Sequence, residues 1–348
     1  MKREKDVTDI STPAVTREDL FEMMLSPRRT AVLRAGIELR VFDGLAGGPL
    51  EAEDLAERLG IHPRGMRVLL AALAAIGLLD VESGRYRLAP GAGEVLVTSN
   101  PGYFGSAMRL ASSDYEWQAL GRLADAVRHG GTVLEQHAET PEYPYWEDFA
   151  ALPTGNTSRV AGTLADLLRE WAAERPSLNV LDTACGHGYY GYTLAARYPQ
   201  ARVWDVDWPN VLDISVRHAE RMGVRDRVEL IPGDMFSAEL GGPYDLTMIT
   251  NVLHHFSEER ATEMLTKLAR VTKADGKVAV VAITTDDQPP AQDPIPHLFS
   301  VLMLAWTHEG ESHSMEAYRR MFAAAGLTAP QVHSLPGVPL RILLADRA

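Results

Sequence analysis

The first twenty or so residues (MKREKDVTDIST and onward) are rich in charge and lack apolar periodicity, and apolar positions then recur at helical spacing. Ala31, Val32, Leu33, Ala35, Gly36 and Ile37 predict a first helix ending near Phe42. Residues 49–60 (PLEAEDLAERLG) form a short amphipathic pattern stopped by a C-terminal glycine. After His62-Pro63, the residues Met66, Leu69, Leu70, Leu73 and Ile76 give a second helix one apolar face. Leu78–Val81 and Tyr86–Leu88, separated by Ser83-Gly84, predict a β-hairpin. Helix, turn, helix and hairpin together predict a winged-helix module.

From Asn179 the pattern changes to short buried strands alternating with helices. Asn179–Asp182, Ala201–Val206, Val228–Ile231, Tyr244–Ile249 and Lys277–Ile283 are the expected parallel strands. Gln331–Leu335 and Leu340–Leu344 flank Pro336-Gly337-Val338-Pro339, a turn short enough only for an antiparallel hairpin at the sheet's end. The predicted class is α/β, a Rossmann-like seven-stranded sheet behind a helical N-terminal module. The expected divisions are a mobile arm (1–20), a winged-helix-like dimerisation domain (21–100), a helical connector (101–175) and a ligand-binding α/β domain (176–348). The connector is rich in aromatics, among them Tyr143, Tyr145, Trp146 and Phe149, suited either to lining a small-molecule pocket or to packing between domains.

Composition narrows the function. The 348 residues carry a net charge of −13, which opposes broad contact with a phosphate backbone. The second winged helix offers Arg64 and Arg67 and is otherwise apolar, so no nucleic-acid partner is expected. No apolar run is long enough for a membrane span, and the N-terminus lacks a signal-like apolar segment. With a single cysteine, Cys185, a reducing cytoplasmic setting is expected, with no membrane partner.

The candidate chemistry stands at successive strand ends. The first predicted strand runs into Asp182-Thr183-Ala184-Cys185-Gly186-His187-Gly188, where small residues let a ligand approach the backbone. Asp207, beside Trp208, follows the second strand, where an acid can accept two ribose hydroxyls. Gly233-Asp234-Met235-Phe236 follows the third and offers an acid and apolar groups to an adenine. Asn251-Val252-Leu253-His254-His255-Phe256 follows the fourth. A dinucleotide enzyme is expected to show a tighter G-x-G-x-x-G here. An acid beginning the loop repels phosphate and suits a cationic or zwitterionic ligand instead.

These four segments resemble the class I S-adenosylmethionine-dependent methyltransferases. The similarity is greatest to the branch of caffeic acid O-methyltransferase and the bacterial O-methyltransferases of antibiotic biosynthesis. It spans nearly the whole chain, since that branch also carries an N-terminal winged-helix dimerisation domain. The resemblance implies a homodimer that binds S-adenosylmethionine and a small-molecule acceptor. It implies that Gly186, Gly188 and Asp182 hold the methionine end, Asp207 and Trp208 the ribose, and Asp234, Met235 and Phe236 the adenine. His254 falls on the family's general base, an imidazole able to take a phenol or enol proton.

The chain also departs from that pattern. His255 stands where the family carries an aspartate, and Glu311 lies one place from its orienting glutamate. Histidines gather instead: His254, His255, His297, His308 and His313, of which His297 and His313 read as solvated. The leading expectation is O-methylation of a small specialised metabolite, with His254 and His255 as catalytic residues. A second is a metal-dependent C-methyltransferase acting on the β-carbon of a 2-oxo acid, with His254, His255 and His308 binding iron or zinc. A third is a ligand-sensing winged-helix regulator.

Overall fold

The computed structural model describes residues 14–152, 155–285 and 288–348. The chain separates into two compact units, 1–105 and 106–348.

In the first unit a helix runs from Arg17 to Glu38, opened by a reciprocal cap in which Thr16 Oγ1 accepts the Asp19 N–H and Asp19 accepts the Thr16 N–H. Residues 17–20 are therefore helical rather than part of an arm; the rest of that expected arm, residues 1–13, lies outside the described residues. The helix also ends earlier than Phe42, because Arg40 turns left-handed (φ 55°) and starts a separate short helix, Val41–Leu45. Helices Ala52–Leu59 and Pro63–Ala75 follow, then strands β1 (Leu79–Glu82) and β2 (Arg85–Leu88) in antiparallel register. Ser83 and Gly84 both take positive φ, 51° and 82°, the geometry a two-residue hairpin needs. Phe42, Leu45, Leu55, Met66, Leu70 and Leu73 form the core. Ile37, from the first predicted helix, and Leu73, from the apolar face of the second, are buried in this interior rather than free for a partner copy. The exposed apolar surface lies elsewhere, at Val15, Leu20, Phe21, Met23 and Met24.

In the second unit seven strands make one sheet: β3 (Leu178–Thr183), β4 (Ala201–Asp207), β5 (Val228–Pro232), β6 (Tyr244–Thr250), β7 (Thr272–Ile283), β8 (Gln331–Ser334) and β9 (Leu340–Asp346). Their spatial order is β5-β4-β3-β6-β7-β9-β8, parallel as far as β7 and antiparallel through β9 and β8. Apolar clusters pack against the sheet, one around Leu164, Tyr190 and Tyr192, the other around Met264, Tyr318 and Phe322. The chain leaves β3 toward β4 on one side and later returns as β6 on the other. This switch point opens a crevice at the strands' C-terminal ends, where such sheets bind ligands. A third cluster joins helices Asp114–Gly121, Leu123–His129, Tyr145–Ala151 and Pro294–Trp306 through Tyr143, Tyr145 and Trp306.

Candidate active site

A cavity of about 580 Å³ opens at the switch point. Gly186, Asp207, Trp208, Asp234, Met235, Phe236, His255 and His308 line it; Asp182, Gly188 and His254 do not.

The loop after β3 is held from within. Asp182 is fully buried, and its Oδ2 accepts the Gly191 N–H at 3.1 Å. Burial, then the facing Asp205, pushes its carboxyl well above the usual carboxylate range. Asp182 thus braces the loop from beneath instead of facing the ligand. Gly188 opens helix Tyr189–Arg197 with φ 70°, as Gly186 (φ 56°) turns the chain before it. Gly186, Gly188 and Gly191 have G-x-G-x-x-G spacing after all. A Cβ on Gly191 would stand 2.7 Å from Val203 Cγ1, so the third glycine permits close helix–strand packing. Spacing therefore does not separate a dinucleotide from the methyl donor; charge does.

That charge is one-sided. Glu139, Asp207, Asp234, Glu259, Glu263 and Glu309 line the cavity against a single arginine, Arg260. Such a wall favours a cation and disfavours a pyrophosphate. Asp207 accepts the Gly186 N–H through Oδ2 and the Trp208 N–H through Oδ1, both at 2.8 Å. Each oxygen keeps a lone pair for a diol hydroxyl. Burial raises this carboxyl to about 6, opposed by those two N–H groups.

The segment after β5 forms the next wall. Asp234 Oδ1 accepts the Phe236 N–H at 3.1 Å, and the Arg260 guanidinium lies 3.6 Å from the centre of the Phe236 ring. Lys267 was not singled out by sequence, yet its Nζ donates to the carbonyls of Met235, Phe236 and Ala238 at 2.9, 2.8 and 2.7 Å. Nothing in the local pattern marks it, because its role depends on the packing of helix Glu258–Val271 beneath the loop.

Past β6, Asn251 takes φ 57° and a single helical turn carries His254 and His255. Both are buried. The His255 ring lies 5.3 Å from that of Trp146, which with Phe149 closes the aromatic wall of the cavity. Burial lowers His255 to about 4. His254 meets His255 and Phe299 edge-on, at 4.8 and 4.7 Å between ring centres, and its Nδ1 has no hydrogen-bond partner. Burial, then His255 and His313, holds it well below the usual imidazole range. His313, expected to be solvated, is buried against Tyr318, with Nε2 3.3 Å from the Leu253 carbonyl. Glu311 is exposed and Ser312 is buried, so the register offers no carboxylate at that point.

His308 is not part of this histidine pair. Its Nδ1 lies 2.6 Å from Glu139 Oε2, and its N–H donates to Glu139 Oε1 at 2.9 Å. Among the described residues, His254, His255 and His308 do not assemble into a group of metal-ligand atoms. The cause is local: the chain leaves helix Pro294–Trp306 toward the 131–139 segment, with the Thr132 N–H donating to the Thr307 carbonyl at 2.8 Å.

Comparison with known proteins adds to this geometry. The O-methyltransferase domain family matches residues 149–328, and the O-methyltransferase dimerisation domain matches residues 21–99. Tetracenomycin polyketide synthesis 8-O-methyl transferase of Streptomyces glaucescens is 27% identical over 92% of this chain and 94% of its own. Acetylserotonin O-methyltransferase of Mus musculus is 28% identical over 91% and 84% respectively. Among solved structures, a putative O-methyltransferase from Nostoc punctiforme superposes with a TM-score of 0.88 at 30% identity, covering 96% of this chain and 100% of its own. Human N-acetylserotonin methyltransferase in complex with S-adenosylmethionine shares the fold at a TM-score of 0.74 and 21% identity, covering 97% of this chain and 99% of its own.

Proposed function

This chain belongs to the S-adenosylmethionine-dependent O-methyltransferase family, and from that premise we propose that the switch-point cavity holds the donor and that His254 is the base for the acceptor hydroxyl. When bound, the donor supplies an electrophilic sulfonium methyl. Its charge fits a cavity wall carrying six carboxylates and one arginine, and this is the observation that carries the reading.

Asp207 is assigned to the ribose hydroxyls, because both its oxygens are fixed by backbone N–H groups at the end of β4. Asp234, Met235 and Phe236 are assigned to the adenine, on a loop pinned by Lys267. Gly186 and Gly188 turn the backbone toward the methionine end, with Asp182 beneath as a brace. Trp208 begins the helix Pro209–Arg221 beside the ribose site. His254 is buried behind the residues that line the donor cavity, and its neutral ring with an unpartnered Nδ1 is assigned the proton of an acceptor hydroxyl seated on that side, as oxygen attacks the methyl carbon. His255 shapes the acceptor side with Trp146 and Phe149.

The acceptor is assigned to small hydroxylated aromatic metabolites, on the strength of that aromatic wall and of relatives named for polyketide and mitomycin O-methylation. The carbon-methylation alternative requires His254, His255 and His308 to share a cation, whereas His308 turns to Glu139 instead. A second copy of the chain is assigned to the exposed apolar surface of the first helix. The test is transfer of a labelled methyl group to a panel of phenols and hydroxyquinones. Product methylated at oxygen supports the assignment; turnover only of 2-oxo acids, at carbon, overturns it.

A further inference from the structure

His137 and His308 stand outside the roles assigned above, and Glu139, one of the six cavity carboxylates, lies between them and the cavity. One ring nitrogen of each histidine and one oxygen of Glu139 lie within 4.8 Å of one another. We propose that these three residues form a binding site for one divalent transition metal, zinc by preference, at the rim of the cavity.

The site is built from two segments that the backbone already holds together. The Thr132 N–H donates to the Thr307 carbonyl at 2.8 Å, and the Ala138 N–H to the Trp306 carbonyl at 3.1 Å. Between them, Gly131 packs so closely that a Cβ there would stand 2.2 Å from the His308 carbonyl oxygen. The ligands therefore come from fixed backbone, not from free loop ends. Glu139 and His308 both line the cavity, and His137 lies buried behind them.

The donor chemistry is selective. Two imidazoles and one carboxylate suit zinc and its neighbours, whereas magnesium and calcium prefer all-oxygen shells. The His137 and His308 rings meet edge-on at 4.5 Å between centres. Each Glu139 oxygen accepts one hydrogen bond from His308 and keeps a lone pair. The His137 Nδ1 receives only a long contact, 3.3 Å, from the Glu139 N–H. Tetrahedral zinc at about 2.1 Å from each ligand sets donor atoms about 3.4 Å apart. Closing from the present spacing takes a shift of roughly 1 Å, which the exposed His308 side chain can supply.

The site shares Glu139 with the acidic cavity wall, so its test reads bound metal rather than methyl transfer and can fail without the donor assignment failing. Protein without a histidine tag is stripped with chelator, dialysed against micromolar zinc, and assayed for bound metal. Cobalt substitution is followed by visible absorption. One equivalent of zinc per chain and a tetrahedral cobalt band are expected, with affinity lost about tenfold or more in His137→Ala and in Glu139→Gln. His297→Ala should leave binding unchanged. Circular dichroism of each variant separates lost binding from lost fold, and Glu139→Gln preserves shape should His137→Ala fail to fold. Less than a tenth of an equivalent bound, or binding undiminished in a folded Glu139→Gln variant, overturns the site.

Discussion

Asp207 accepts the backbone N–H of Gly186 at 2.8 Å, so the acid at the end of β4 is locked to the loop that leaves β3. The two strands lie side by side in the sheet, and this bond fixes the spacing between the positions assigned to the donor's methionine end and its ribose. An ionised Asp207 is the better acceptor for hydroxyls, and burial raises this carboxyl to about 6. Donor affinity should therefore be full at pH 7–8 and fall as pH drops through about 6. Asp207→Ala should weaken binding by about 1–3 kcal/mol. Calorimetry across pH 5–8 checks both. Unchanged affinity in the variant would remove Asp207 from the ribose site.

His254 makes a different prediction, because its environment lowers its basicity. Burial comes first, followed by His255 and His313, and all three disfavour the imidazolium. The acidic limb of the pH–rate profile should therefore lie well below 6.5, with no inflection at the ordinary histidine value. His254→Ala should cut kcat by roughly 10²–10⁴-fold while donor affinity holds. Stopped assays with saturating donor measure the first effect and calorimetry the second. A variant retaining full kcat would return the proton to solvent or to the acceptor's own acidity.

Much of this is legible in the sequence. All seven strands of the large sheet fall on predicted segments, with β7 starting earlier, at Thr272, and the parallel ones are legible because strands covered on both faces are written as short apolar blocks. Strand-end acids were legible for the same reason. Which way each acid faces was not. Asp182 and Asp207 both end strands, yet one turns under the loop and the other toward the cavity, a difference set by neighbours on other elements. Lys267 and His313 act through tertiary packing and leave no local pattern. Gly191 did leave one, in its spacing from Gly186 and Gly188. The histidines show the limit most plainly: adjacency in sequence joined His254 to His255, while His308 went to Glu139 through a backbone pairing no periodicity encodes.

The first helix carries an apolar surface that its own unit does not cover. Leu20, Phe21, Met23 and Met24 are all more than half exposed, at 58, 55, 66 and 55%. Apolar side chains grouped on one helical segment commonly mark a contact surface. Phe21→Glu with Met24→Glu should therefore shift the protein from dimer to monomer without unfolding the core around Leu55, Met66 and Leu70. Light scattering at micromolar concentration decides. A variant that stays dimeric would move the interface to another surface.

Glu116 is a buried carboxyl in an aromatic setting, its Oε1 accepting the Tyr145 hydroxyl at 3.2 Å. Burial lifts it to about 7, partly offset by that hydrogen bond. The sign follows from linkage: an acid whose folded value exceeds its unfolded one binds its proton more tightly when folded. Its contribution to stability is full below about 4.5 and is lost as pH rises through about 7. Glu116→Gln keeps the shape and removes the titration. The variant should match the native chain near pH 5 and exceed it at pH 8 by on the order of 1–3 kcal/mol. Denaturant titrations at the two pH values measure the difference. Equal pH dependence in both proteins would mean that Glu116 remains solvated, with Tyr145 held by packing against Trp146 and Trp306 alone.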